Sequence, residues 1–282
     1  MAHKIIADFW SDYVETLKQH LASQGFITTG SEKDKDFFIA YFNWLHRRIS
    51  PKPRTVHIST NFRAPTDFTN EVDAIIEDIE AGTDITPRLS RFIIDWTYND
   101  SMLSDWGIYH LHLGRSLDPD GFIARTGSLL FARFDDANAY IFGVFDHKSW
   151  TNQEIVEIAH ANWPSTIAQY KLNVEQIYTP ATSGDRKTLR AARINALVQL
   201  KDGSVYSPIG GGMALDGTPI VISSKLIDAR RSCRQQQKHA ENELLKYVGQ
   251  GGPEKSFTMR LELSGPNGFA VEDTTGFRLK LW

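Results

Sequence analysis

His110 and His112 stand one residue apart in the run IYHLHLG. On a strand, alternation sets both on one face and Tyr109, Leu111 and Leu113 on the other. Imidazole exchanges protons near neutral pH, so such a pair can supply a general base and a general acid to one substrate, or share a metal ion. Two histidines lining a half-buried sheet produce the same pattern with no chemistry at all. Downstream, Arg125 and Arg133 flank a second apolar run, and Asp146 and His147 close a third.

These residue types have the components of metal-independent RNA cleavage. That reaction needs a base for the ribose 2′-hydroxyl, an acid for the leaving 5′-oxygen and cations for the phosphorane. On this reading His110, His112 and His147 transfer protons and Arg125 stabilises the reacting phosphate. Arg115, Arg133 and Lys148 hold the neighbouring phosphates through their donors, and Trp150 or Tyr109 stacks a base.

A metal at the histidine pair would need a third and usually a fourth ligand. Asp146, His147, Asp135 or Asp136 could supply it. No HExxH spacing is present, and Gly210–Gly212 is neither a phosphate-binding loop nor a dinucleotide fingerprint. It reads as a flexible hairpin end. There is no GxSxG, and the single cysteine, Cys233, falls on an apolar helical stripe where a nucleophile is not expected. No cofactor is expected.

The elements that must position these residues follow from periodicity. Apolar side chains at helical spacing predict helices over 3–24, 34–50, 66–81 and 86–104. The second is opened by acids, closed by Arg47 and Arg48, and rich in aromatic residues that suit a core. Residues 54–60 alternate as a strand would. The period then shifts from 3.6 to 2. Strands are expected over 106–114, 128–134 and 139–146, with Asp135–Asn138 as a tight turn, which makes an antiparallel meander. Thr151 to Glu154 reads as a capping box opening a helix over 152–162. A hairpin turning at Asp202-Gly203, a strand over 218–223, a long helix over 225–248 and a terminal meander over 256–282 complete the chain. The fold class is α+β, with a helical N-terminal part (1–104), a central antiparallel sheet unit (105–164) and a mixed C-terminal part (165–282).

The segment GSLLFARF, a turn, then AYIFGVFDHKSW resembles the core of RelE-type ribosome-dependent RNase toxins and related small endoribonucleases. In that family a strand written R.LLF precedes a strand ending F.HK. The matching positions are Arg125 to Phe134 and Ala139 to Lys148. The resemblance, confined to residues 105–150, implies a nuclease-like effector or toxin acting on RNA.

Composition bounds the partners. The chain has 282 residues, 41% hydrophobic and 23% charged, with net charge −3. That balance is ordinary for a globular protein and argues against whole-surface nucleic-acid binding, while leaving local basic patches open. Two such patches are present: Arg186, Lys187, Arg190 and Arg193, and Arg230, Arg231, Arg234, Lys238 and His239. One cysteine excludes an internal disulfide and points to a reducing, cytoplasmic setting. No membrane span or signal peptide is expected. Besides RNA, an antitoxin-like or regulatory protein partner is a candidate. Two readings compete with the nuclease. One is a non-enzymatic intracellular interaction or regulatory protein, of a phage–host conflict for example, using the basic helix or the aromatic N-terminal helices. The other is a metal-dependent hydrolase built on His110 and His112.

Overall fold

The computed structural model describes residues 3–60, 62–146, 149, 151–249 and 253–282. It is a mixed α+β protein. The chain begins with β1 (Lys4–Ile6), α1 (Phe9–Ser23), α2 (Asp34–His46), β2 (Thr55–Ile58), α3 (Thr69–Ala81) and α4 (Ser101–Trp106). Then come β3 (Tyr109–His112), β4 (Ser128–Phe134), β5 (Asn138–Asp146), α5 (Glu154–Asn162), α6 (Pro164–Ile167), β6 (Lys171–Leu172) and α7 (Ser183–Ala191). The chain ends with β7 (Val198–Gln199), β8 (Val205–Tyr206), α8 (Ile220–Val248), β9 (Ser256–Ser264), β10 (Asn267–Glu272) and β11 (Phe277–Lys280). Among the described residues no helix is long and apolar enough to cross a membrane.

Two compact units result: Met1–Phe42 with Ile222–Trp282, and Asn43–Val221. The divisions expected at 104/105 and 164/165 both fall inside the second unit. Packing explains this. Val72, Ile75 and Ile79 of α3 share one core with Leu111, Leu130 and Ile141 of the central strands. Ile155, Val156 and Ala159 of α5 share another with Leu129, Phe131 and Phe142. The sheet is therefore covered by helices on both faces, and none of these layers can leave without exposing apolar surface.

In the first unit the sheet order is β1-β9-β10-β11. The helix expected over 3–24 is corrected here. Lys4–Ile6 pairs in parallel with Ser256–Thr258, and the helix starts only after Asp8, whose carboxylate accepts from Ser11 N at 3.0 Å. Gln237 of α8 clamps this link: its side chain accepts from Phe9 N and donates to Ala7 O, both at 3.1 Å. Phe9, Cys233, Leu244, Phe257 and Phe277 form the core beneath. Burial pushes the Cys233 thiol up to about 11, which suits a packing role.

Glu272 is a buried acid of this unit, 1% exposed. It accepts from the backbone N and hydroxyl of Thr274 (3.2 and 2.7 Å) and of Thr275 (2.9 and 2.5 Å). Burial opposes its charge, but these four donors prevail and hold the carboxyl below the usual range. Its stabilising contribution is therefore present above the unfolded value of about 4.3 and lost as pH falls through the folded one. Glu272→Gln should lower the urea midpoint at pH 7, with the gap to the wild type closing on acidification. A gap independent of pH would refute the assignment.

In the second unit the sheet order is β2-β5-β4-β3. β3, β4 and β5 form the expected antiparallel meander, but the sheet as a whole is mixed: β2 lies parallel to β5, Thr55 opposite Asn138. A long crossover separates β2 from β5, as parallel pairing requires. The single helix expected over 86–104 is two 3₁₀ turns, Thr86–Arg88 and Arg91–Ile94, followed by α4. Pro87 and the Ser90 cap break it, and buried Arg47 donates to the carbonyls of Phe92 and Asp95, both at 2.6 Å. The capping box expected at Thr151 does not form; α5 starts at Glu154, whose N–H is accepted by the Asn152 side chain at 3.1 Å. The strand expected over 218–223 is instead the start of α8, with Ile222 on its buried side.

Candidate functional site

β3 is an edge strand, and its register sets His110 opposite Phe131 and His112 opposite Leu129. The two rings do share a face, with centroids 6.3 Å apart and planes at 77°. That face carries Leu129 and Phe131, which belong to the core under α5. His110 is 7% exposed and His112 3%. His110 Nδ1 lies 4.0 Å from the Asp100 carboxylate. Asp100 is committed locally: it caps α4 by accepting from Met102 N and Leu103 N, each at 3.0 Å. The recess beside His110, bounded by Asp100, Arg47 and Tyr109, has a volume of about 20 Å³. That is room for about one water, not for a nucleotide.

The other expected residues disperse. Tyr109 points to the opposite face, packs edge-on against Phe134 and donates its hydroxyl to the His46 carbonyl at 2.6 Å. Burial raises its pKa. Arg115 is exposed but engaged by Glu71 at 2.5 Å and the Asp67 carbonyl at 2.9 Å. Arg125 is exposed in the loop between β3 and β4. Arg133 follows Leu129 and Phe131 in alternation, so it does share the histidine face. Its guanidinium sits 5.8 Å from the Tyr170 ring centroid, and burial depresses its pKa while Tyr170 pulls it back. Asp146 is exposed at the end of β5 and accepts from the Ser149 hydroxyl at 2.9 Å. His147, Lys148 and Trp150 lie outside the described residues. Among the described residues no three His, Cys, Asp or Glu side chains gather as metal ligands.

One polar chain escaped sequence reasoning. His160 of α5 meets the Tyr206 hydroxyl through Nδ1 at 2.8 Å and the Asp202 carboxylate through Nε2 at 3.1 Å. Carboxylate, imidazole and phenol stand in the order of a proton relay. Yet Tyr206 is 1% exposed, and burial and the Asp202 charge both push its pKa up, which disfavours a phenolate. The chain serves to satisfy a buried hydroxyl. The Asp202-Gly203 turn was legible, but no spacing linked residue 160 to 202 and 206.

The two basic clusters separate. Arg186 and Arg190 are 4% and 9% exposed. Arg186 donates to Gln153 at 2.9 Å, and Arg190 pairs with Asp105 at 2.5 Å. They are internal ties rather than a phosphate-facing patch. On α8, by contrast, Cys233, Ala240 and Leu244 turn inward while Arg230, Arg231, Arg234, Lys238 and His239 stay exposed. The aromatic stripe of α2 supplies Phe37, Phe38 and Trp44 to the interior, so it offers little as a surface. No protein-family model, curated protein or solved structure matches this chain.

Proposed function

We propose that this chain acts by binding, as a non-enzymatic interaction or regulatory protein, and not by RNA cleavage at its histidine pair. The burial of His110 and His112, at 7% and 3% exposed, carries this reading. A general base must come within hydrogen-bond reach of the hydroxyl it deprotonates. Both rings face Phe131 and Leu129 across the sheet, and the recess beside His110 is far smaller than a ribose phosphate. Tyr109, expected to bind substrate, has its hydroxyl engaged within the protein, and Arg115 spends Nε and one further guanidinium nitrogen on Glu71 and the Asp67 carbonyl. The exposed cations of α8 supply a surface suited to binding instead.

The test compares wild type with His110→Ala and His112→Ala for RNA cleavage and for growth inhibition on expression. All three should leave RNA intact and behave alike on growth. Each variant should lose about 1–3 kcal/mol of stability, as removal of a packed polar side chain from a core does. Cleavage by the wild type that either variant abolishes would overturn the reading in favour of the nuclease.

A further inference from the structure

In the first unit a cleft of about 420 Å³ opens along α8, between that helix and the start of α1. Its volume is in the range of pockets that accept small organic ligands. Arg230, Arg234 and Lys238 line it. Successive members are four residues apart, so they form one stripe with a rise of about 6 Å between cations. All three are exposed. Over residues 225–239 the helix carries five cations, Lys225, Arg230, Arg231, Arg234 and Lys238, against one acid, Asp228, which pairs with Arg231 at 3.5 Å. The two acids of the cleft are engaged at home. Asp8 accepts from the Ser11 N–H and hydroxyl, each at 3.0 Å, and Glu241 accepts from Gln237 at 2.8 Å.

Trp10 supplies an aromatic wall. Its indole is braced by Phe38 at 5.5 Å and Tyr13 at 6.3 Å between ring centroids. The Arg230 guanidinium lies 4.9 Å from the indole centroid. A row of cations beside a fixed aromatic ring is the combination that binds single strands without reading sequence: cations follow the phosphates and a base stacks on the ring. An acidic peptide would use the cations but not the indole.

We infer that the α8 cleft binds single-stranded nucleic acid, with Arg230, Arg234 and Lys238 on successive phosphates and Trp10 under a base. This rests on the reading that the chain acts by binding, and it names the ligand class. The chain's net charge of −3 does not oppose it, because the local field of the stripe governs approach.

The experiment titrates the full-length protein with a fluorescein-labelled 12-nucleotide poly(U) RNA at two salt concentrations fourfold apart. Competitors are unlabelled duplex RNA and poly-glutamate. For a single strand the logarithmic salt slope is about 0.7 per phosphate contact, so three contacts predict a roughly twentyfold loss of affinity over that salt range. The double variant Arg234→Gln/Lys238→Gln should weaken binding and reduce that loss to about threefold. Trp10→Phe should weaken binding with the salt slope unchanged. Circular dichroism and melting of the variants establish that they fold. Binding with an unchanged slope in the double variant, or poly-glutamate displacing the RNA at equal charge concentration, would overturn the cleft as a nucleic-acid site. Absence of RNA binding by the wild type would overturn it too. Degradation of the labelled strand would instead overturn the binding reading beneath it.

Discussion

Replacing Arg190 by alanine is expected to destabilise the second unit by about 3–5 kcal/mol, the usual cost of removing one partner of a buried ion pair. The Arg190 side chain is 8% exposed and that of Asp105 16%, with Nε and the carboxylate 2.5 Å apart. The guanidinium also lies 5.7 Å from the Trp106 ring centroid, so it joins α7 to the end of α4. Burial already raises the Asp105 pKa, and the charge and hydrogen bond of Arg190 are what pull it back. Without Arg190 the carboxyl rises further. An acid raised on folding contributes stability below its unfolded pKa of about 3.9 and loses it as pH rises through the folded value. The deficit of Arg190→Ala should therefore be smaller at pH 4 than at pH 8 in urea denaturation. The pair Arg190→Met/Asp105→Leu should recover much of it, since an apolar replacement leaves no buried charge behind. A deficit under about 1 kcal/mol at pH 8 would show the pair to be solvated.

Gly210→Ala should cost about 3 kcal/mol or more, through overpacking against backbone that has no rotamer to change. A Cβ at residue 210 would stand 2.4 Å from Gly107 N, 2.4 Å from the Leu103 carbonyl and 2.5 Å from that of Ser104. The contact is held by backbone hydrogen bonds from Gly210 N to Asp105 O and from Gly212 N to Ser104 O, both 2.8 Å. The triple glycine is therefore a packed junction against α4 and not the flexible hairpin end its composition suggested. Gly211 is the internal control. It has φ +98° with nothing within 4 Å of a Cβ, so alanine there should cost only about 1 kcal/mol from backbone strain. Thermal unfolding of the two variants separates the cases; equal losses would refute the close approach at 210.

Much of the fold was legible where local signals agree with packing. β4 coincides with the strand expected over 128–134, and Gly82 ends α3 in the left-handed conformation expected after an amphipathic run. β5 follows the Asp135–Asn138 turn directly. These elements state their own period, and each apolar face found a core. β1 could not be read, because three residues hold no period; it exists because β9 offers an edge in parallel, some 250 residues along the chain. The start of α8 reads as a strand from its β-branched residues, but these form the first turn of a 29-residue helix, and tertiary context overrides so local a preference.

The candidate site divides in the same way. Alternation was enough to set His110 and His112 on one face, and they are. It could not say what lies against that face, which depends on β4 pairing at Leu129 and Phe131 and on α5 closing over them. The basic clusters looked alike as strings of residues. Arg190 is drawn inside by Asp105, 85 residues away, while the α8 cations remain outside because their helix turns its small and apolar side chains inward. Sequence alone determined the α+β class, the central meander and which residues could carry charge. Only tertiary structure decided which of those charges face water, because burial is a property of what packs on a residue and not of its own neighbours in the chain.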